Sequence, residues 1–261
     1  MSKNKRVLSP REQRIYFTLS NSKNKIFTID MIMSFRFCSY GTLRWLLSDM
    51  VKRGWLTRIK NGTYYLHGAG DSSIDDIFKI STHMYNGYVA FSSALYLYSA
   101  LTERPYTVYV ATRTTSKSSN LGGIEIKAVA LGKRAVGATK YDEYQISTRA
   151  KTVYDSFHMP EYAGGYSKVI ESVYNMRLTT AEWKEFIGYV NTFESDSSKR
   201  KIGYMLALAN KVGNAVPKNV LNLLKNKGPV VKLGKGKNGK YIGEWGIVDY
   251  IGEGYLLGWS K

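Results

Sequence analysis

The sequence predicts an α+β chain that opens with a small helix-and-hairpin module and ends largely helical. Three observations carry this. Helix-start signals and an Asn-Gly hairpin follow one another within residues 1–70. Alternating segments such as "YTVYVAT" (Tyr106–Thr112) occupy the middle. Beyond Gly164-Gly165 the apolar spacing becomes that of helices.

Ser9-Pro10-Arg11-Glu12 reads as a capping box, with Pro10 at the first helical position and Glu12 reaching back to the cap. The helix should run to about Ser20, and a polar turn, "NSKNK", follows. Thr28 can cap a short second helix carrying Ile29, Met31 and Ile32, which "RFCSYG" then breaks. A third helix starts near Ser39 or Tyr40. Leu43, Leu46, Leu47, Met50 and Val51 form its buried stripe, and Gly54 suits its end. At about 100° per residue, Gly41, Trp45, Ser48 and Lys52 lie opposite that stripe. Strands Trp55–Ile59 and Thr63–Leu66 then flank Lys60-Asn61-Gly62, where Asn-Gly favours a tight hairpin because both residues tolerate positive φ.

Three helices and a hairpin in this order make a winged helix-turn-helix. In that fold the third helix enters the major groove and the wing follows the backbone. The candidate DNA-binding residues are therefore Ser39, Tyr40, Thr42, Arg44, Trp45, Ser48 and Lys52 on the helix, with Arg58, Lys60 and Asn61 at the wing tip. A winged helix used for protein contacts is the alternative.

After "AGDSS" (Ala69–Ser73), taken as a boundary, a short helix is expected around Ile74–Ser81. Phe91, Ala94, Leu95, Tyr98 and Leu101 mark a buried helix. Strands are expected at Tyr106–Thr112, across "GIEIKAVAL" after a Ser/Gly loop, and at Tyr144–Ser147. A helix near Ala150 carries Val153, Tyr154 and Phe157. Further helices follow from Val169/Ile170/Val173/Met176, from the Thr179–Glu182 box with Trp183, Phe186, Ile187 and Val190, and from Ile202/Met205/Leu206/Ala209/Val212. Pro217 opens another, with Val220, Leu221 and Leu224 inside and Gly228 ending it. "VVKL", "YIGEW" and "YLLGW" read as terminal β hairpins. Three segments result: 1–70, an α+β region 71–165, and a helical region 166–261 with a basic stretch.

With 261 residues, 44% hydrophobic and 13% aromatic, the chain fits a globular protein with a substantial core. Its single cysteine, Cys38, excludes an intrachain disulfide and a cysteine-based zinc site, and suits a reducing cytoplasm. "MSKNKRVLSPREQ" has charge but no apolar core, so no signal peptide is expected. The longest stretch without formal charge, Ile80–Thr102, is rich in Ser and Tyr and reads as buried structure rather than a membrane span. A cytoplasmic protein without membrane contact is the expectation.

The net charge of +18 is unevenly placed. Residues 1–70 carry thirteen Lys/Arg against three Asp/Glu, residues 71–160 ten against eight, and residues 161–261 fifteen against nine. Ser197–Gly243 holds eleven bases and no acid. Two basic regions around a near-neutral middle point to a polyanion, most simply nucleic acid. Lys199, Arg200, Lys201, Lys211, Lys218, Lys235, Lys237 and Lys240 are candidates for a second nucleic-acid surface; a solvated helical face is the alternative.

Four segments in order resemble the AbiEi antitoxin family of abortive-infection, type IV toxin–antitoxin systems. They are "RWLLSDMVKRGWLTRIKNGTYYL", "FSSALYLYSALTERPYTVYVAT", "STRAKTVYDSFHMPEYAGGYSKVIESV" and "KRKIGYMLAL". The resemblance implies a DNA-binding autorepressor acting on the operator of its own operon. It also implies a functional partner, a nucleotidyltransferase-like toxin encoded beside it, without requiring direct binding.

Catalytic chemistry is not expected. Gly234-x-Gly236-x-x-Gly239 matches a dinucleotide fingerprint, but "KYIGEW" after it reads as strand where pyrophosphate needs a helix N-terminus. His67, His83 and His158 have no ligand spacing, so neither metal nor cofactor is expected. Asp155 reads as a buried, hydrogen-bonded carboxylate fixing a helix to the sheet rather than a catalytic acid, since metal-assisted phosphoryl transfer needs converging carboxylates. A stand-alone winged-helix factor of a mobile element and a nucleic-acid-processing enzyme remain the competing functions.

Overall fold

The computed structural model describes residues 7–68, 77–121 and 123–260. It is a mixed α+β structure that divides into two compact units, residues 1–84 with 120–123 and residues 85–119 with 124–261. The expected boundary at Ala69–Ser73 lies outside the described residues.

In the first unit, α1 (Pro10–Ser20) begins at the Ser9 capping box. The Ser9 N–H and hydroxyl both donate to the Glu12 carboxylate, at 2.8 and 2.7 Å. β1 (Ile26–Thr28) leads into α2 (Ile29–Ser34), whose first turn is capped by Thr28 Oγ1 accepting from the Met31 N–H. α3 (Tyr40–Lys52) buries Leu43, Leu46, Leu47 and Met50, and Gly54 after it sits at φ +78°. β2 (Leu56–Lys60) and β3 (Thr63–Leu66) form an antiparallel pair, and β1 adds to β3 with Ile26 opposite Tyr65. β1 was not expected from the sequence. It is three residues long and exists because β3 offers it an edge. At the hairpin turn only Gly62 has positive φ; a register shift between Arg58 and Lys60 supplies the remaining bend. α4 (Ile77–Tyr85) runs on past Ser81, where the expected helix ended, and the expected start at Ile74 lies outside the described residues.

The second unit opens with β4 (Tyr88–Val89), α5 (Phe91–Leu97), β5 (Thr107–Thr112), β6 (Lys117–Leu121), β7 (Ile124–Ala130), β8 (Ala138–Tyr141) and β9 (Tyr144–Ser147). These strands make one mixed sheet in the order β6-β7-β5-β4-β9-β8, with β5 and β7 parallel. α5 is shorter than its apolar spacing implies, because Tyr98 already leaves helical geometry. The supposed Ser/Gly loop contains β6.

α6 (Arg149–His158) is buried from Ala150 to Phe157, polar residues included. α7 (Gly165–Met176) and α8 (Thr180–Phe193) pack on it, α9 (Asp196–Val212) packs on α7, and α10 (Lys218–Leu224) packs on α8 and α9. β10 (Val231–Leu233), β11 (Lys240–Ile242) and β12 (Ile247–Asp249) form a small sheet, and α11 (Glu253–Leu256) follows. A single apolar core runs from Leu95 through Val153, Trp183 and Leu206 to Leu256. The split expected at residues 165/166 therefore falls inside one core. The terminal segment also differs from expectation: β10 pairs parallel with β12, and "YLLGW" is helical. No described helix is long and apolar enough to cross a membrane.

Candidate nucleic-acid interface

α3 is anchored from both ends. Ser39 Oγ accepts from the Thr42 N–H and contacts Thr42 Oγ1 at 2.9 Å, so both hydroxyls serve the cap. At the other end, Arg53 pairs with Asp49 at 2.6 Å and with Glu12 of α1, and donates to Val7 O. Burial works against the Glu12 anion, but hydrogen bonds from Arg53 and Ser9 hold its carboxyl below the ordinary value. The helix is thereby fixed to α1 by an ion pair as well as by the apolar stripe.

Its outer face carries Tyr40, Arg44, Trp45, Ser48 and Lys52, all exposed, with Trp45 67% accessible. The Arg44 guanidinium stands 5.9 Å from the Tyr40 ring centroid. Arg44, Ser48, Val51, Arg58 and Tyr64 line a cleft of about 180 Å³, so the helix face and the hairpin share one concavity. Arg58 donates to Asn61 Oδ1 at 2.5 Å, which orders the exposed tip. Lys60 donates to His83 O at 2.8 Å, the carbonyl at the end of α4. The sequence reading missed Val51 and Tyr64 as cleft residues and gave no hint of the Lys60 tether. It also missed the stacked Phe35–Phe37 pair, since "RFCSYG" registered only as a break.

The fold has a counterpart of known structure. The RV2827C protein from Mycobacterium tuberculosis matches 97% of this chain over 95% of its own, with a TM-score of 0.71 at 14% sequence identity. At that identity the likeness concerns fold alone. No protein-family model matches the chain, and no curated protein does.

The eight bases named for a second surface differ in exposure and pairing. Arg200 is only 3% exposed and belongs to the interior. It donates to the carbonyls of Pro229, Gly228 and Gly246, tying α9 to the strand region. Lys199 and Lys201 are half-buried, Lys199 lying 3.8 Å from Asp196, and Lys211 pairs with Glu253 at 2.6 Å. Lys218 is exposed at the start of α10. Lys235, Lys237 and Lys240 are exposed where the Gly-rich loop leads into β11, a strand and not a helix.

Asp155 is fully buried and paired with Lys151, also fully buried, on the same helix. Its expected partner was the sheet. The cation makes that connection instead, lying 5.9 Å from the ring centroid of Tyr88 on β4. Of the histidines, His67 Nε2 bonds Thr57 Oγ1, His83 Nδ1 bonds Lys79 O, and His158 Nδ1 bonds Glu194. Among the described residues no cluster of three His, Cys, Asp or Glu could hold a metal.

Proposed function

We propose that the N-terminal unit is a winged helix-turn-helix that binds duplex DNA, and that the protein is an autorepressor and antitoxin of a type IV toxin–antitoxin system. The observation that carries DNA binding is the cleft shared by Arg44 and Ser48 of α3 with Arg58 of the hairpin. The order α1-β1-α2-α3-β2-β3 is the order of winged helices, in which the third helix enters the major groove. In that docking Thr42, Arg44 and Trp45 face base edges, while Arg58 and Asn61 meet the phosphates. Lys60 uses one of its three ammonium donors on His83 O and keeps two for phosphate.

The antitoxin half rests on the four AbiEi-like segments. The functional partner is then the neighbouring nucleotidyltransferase-like toxin, and no contact between the two proteins is required. The deciding experiment expresses the adjacent gene with and without the full-length protein, alongside footprinting on the operon's promoter. Rescue with a protected operator supports the whole reading. Protection without rescue replaces it with a stand-alone winged-helix transcription factor.

A further inference from the structure

The sheet of the second unit carries an aromatic platform that the proposed repressor function does not use. Tyr109 of β5 and Lys127 of β7 are paired in register, on the more exposed face of the sheet. Tyr162, from the short turn after α6, lies 5.4 Å from Tyr109 at 42°, and the Lys127 ammonium stands 5.0 Å from the Tyr162 ring centroid. Beneath them Phe91 is fully buried and meets both rings edge-on, at 6.1 and 5.3 Å. Phe91 adopts φ +53°, a conformation costly for a bulky residue and kept only where its surroundings enforce it. A groove of about 660 Å³ opens beside the platform, and Tyr106 at its edge is 95% exposed.

We propose that this groove binds an unpaired nucleotide of a single-stranded nucleic acid, its base stacked on the Tyr106–Tyr109–Tyr162 surface and its phosphate beside the exposed Arg104, since Lys168 already pairs with Glu171 at 3.1 Å and Glu103 at 3.7 Å. Sheet-borne aromatics flanked by bases suit unpaired bases, because every base offers a π-face and every nucleotide a phosphate. A duplex keeps its bases stacked inside and cannot present one here. An added peptide strand is disfavoured, since Ser93 Oγ already accepts from the Tyr109 N–H and donates to Thr107 O along that edge of β5. Glu103 and Glu161 on the same lining favour a ligand with N–H or O–H donors, such as base edges and ribose hydroxyls, over a bare polyphosphate.

The test uses the full chain and labelled single-stranded RNA and DNA of about ten nucleotides, read by fluorescence anisotropy. Unlabelled duplex in excess occupies α3. The expected result is single-strand binding that survives the duplex and falls about fivefold or more in Tyr106→Ala, with further loss in Tyr162→Leu. Duplex affinity of the same variants should not change. Tyr106 is solvent-exposed, so its replacement leaves the fold intact. Displacement of the single strand by duplex, or indifference to both Tyr replacements, overturns the proposal. A mononucleotide competing as well as the oligomer overturns the strand assignment in favour of a free nucleotide.

Discussion

Arg44 on α3 and Arg58 on β2 face one cleft, with the exposed Ser48 beside them. Two guanidinium groups lining one concavity raise its positive potential, which in the proposed docking attracts a backbone phosphate. The full-length protein should therefore bind duplex DNA with a log affinity that falls linearly with log salt. A slope of about −3 to −6 is expected, and Arg58→Ala should reduce its magnitude by about one on any sequence. Affinity independent of salt would remove the electrostatic role of this cleft.

Trp45 presents an apolar ring from the middle of the same helix face. In the proposed docking this ring meets base edges and thymine methyl groups rather than phosphate. Trp45→Ala should cost about 1–3 kcal/mol on the operator and little on random DNA. Arg58→Ala should weaken both. Titrations in which the hairpin change alters sequence preference, and the helix change does not, would reverse the docking.

What could be read from the sequence was what is locally determined. The α3 stripe, the Ser9–Glu12 and Thr179–Glu182 boxes, and Gly54 as the helix stop each depend on neighbours within four positions. β1, β4, β6 and β8 were missed because they are short or polar and depend on a distant partner strand for their pairing. Arg200 shows the same limit at the candidate site. In "SSKRKIG" it looks like Lys199 and Lys201, yet it starts the face continued by Gly203 and Tyr204. Gly203 lies so close to Trp245 that an added Cβ would overlap the ring. A base three positions before such a glycine was the available clue. The carbonyls that accept from Arg200 lie 28, 29 and 46 residues away, beyond any local pattern.

Because those carbonyls replace water around a buried guanidinium, Arg200→Met should destabilise the second unit, by about 1–3 kcal/mol in denaturant titration. Duplex affinity of the folded variant should stay unchanged. A loss of nucleic-acid binding without a loss of stability would return Arg200 to a recognition role.

Glu12 links acid stability to the orientation of α3. Its carboxyl, held below its ordinary value of 4.5, contributes stability that is full above that pH and lost as pH falls through the folded-state value. Glu12→Gln should lower Tm at neutral pH, and the deficit should shrink in acid well below 4.5. Equal deficits at both pH values would mean that the ion pair with Arg53 contributes nothing.

The Lys151–Asp155 pair makes the sharpest stability prediction. Burial pushes the Asp155 carboxyl up to about 6, against the opposing pull of Lys151. Burial also lowers Lys151, whose ammonium lies 5.2 and 5.7 Å from the ring centroids of Tyr154 and Tyr189. Lys151→Met removes the cation and leaves a buried carboxylate unpaired, which should cost about 3–5 kcal/mol at neutral pH. Adding Asp155→Leu should restore most of that loss, because the second change removes the charge that the first one stranded. The pH dependence follows from the same cause. A carboxyl raised in the folded state favours folding below its unfolded value of 3.8, and that advantage disappears as pH rises through the folded one. Without Lys151 the carboxyl rises further, so the single variant should recover stability in acid, while the double variant, lacking both groups, should lose the pH dependence that Asp155 gives the parent protein. Denaturant titrations of the three proteins across pH test this directly. A double variant as unstable as the single one would show that Lys151 stabilises α6 by packing against the tyrosines rather than by neutralising Asp155.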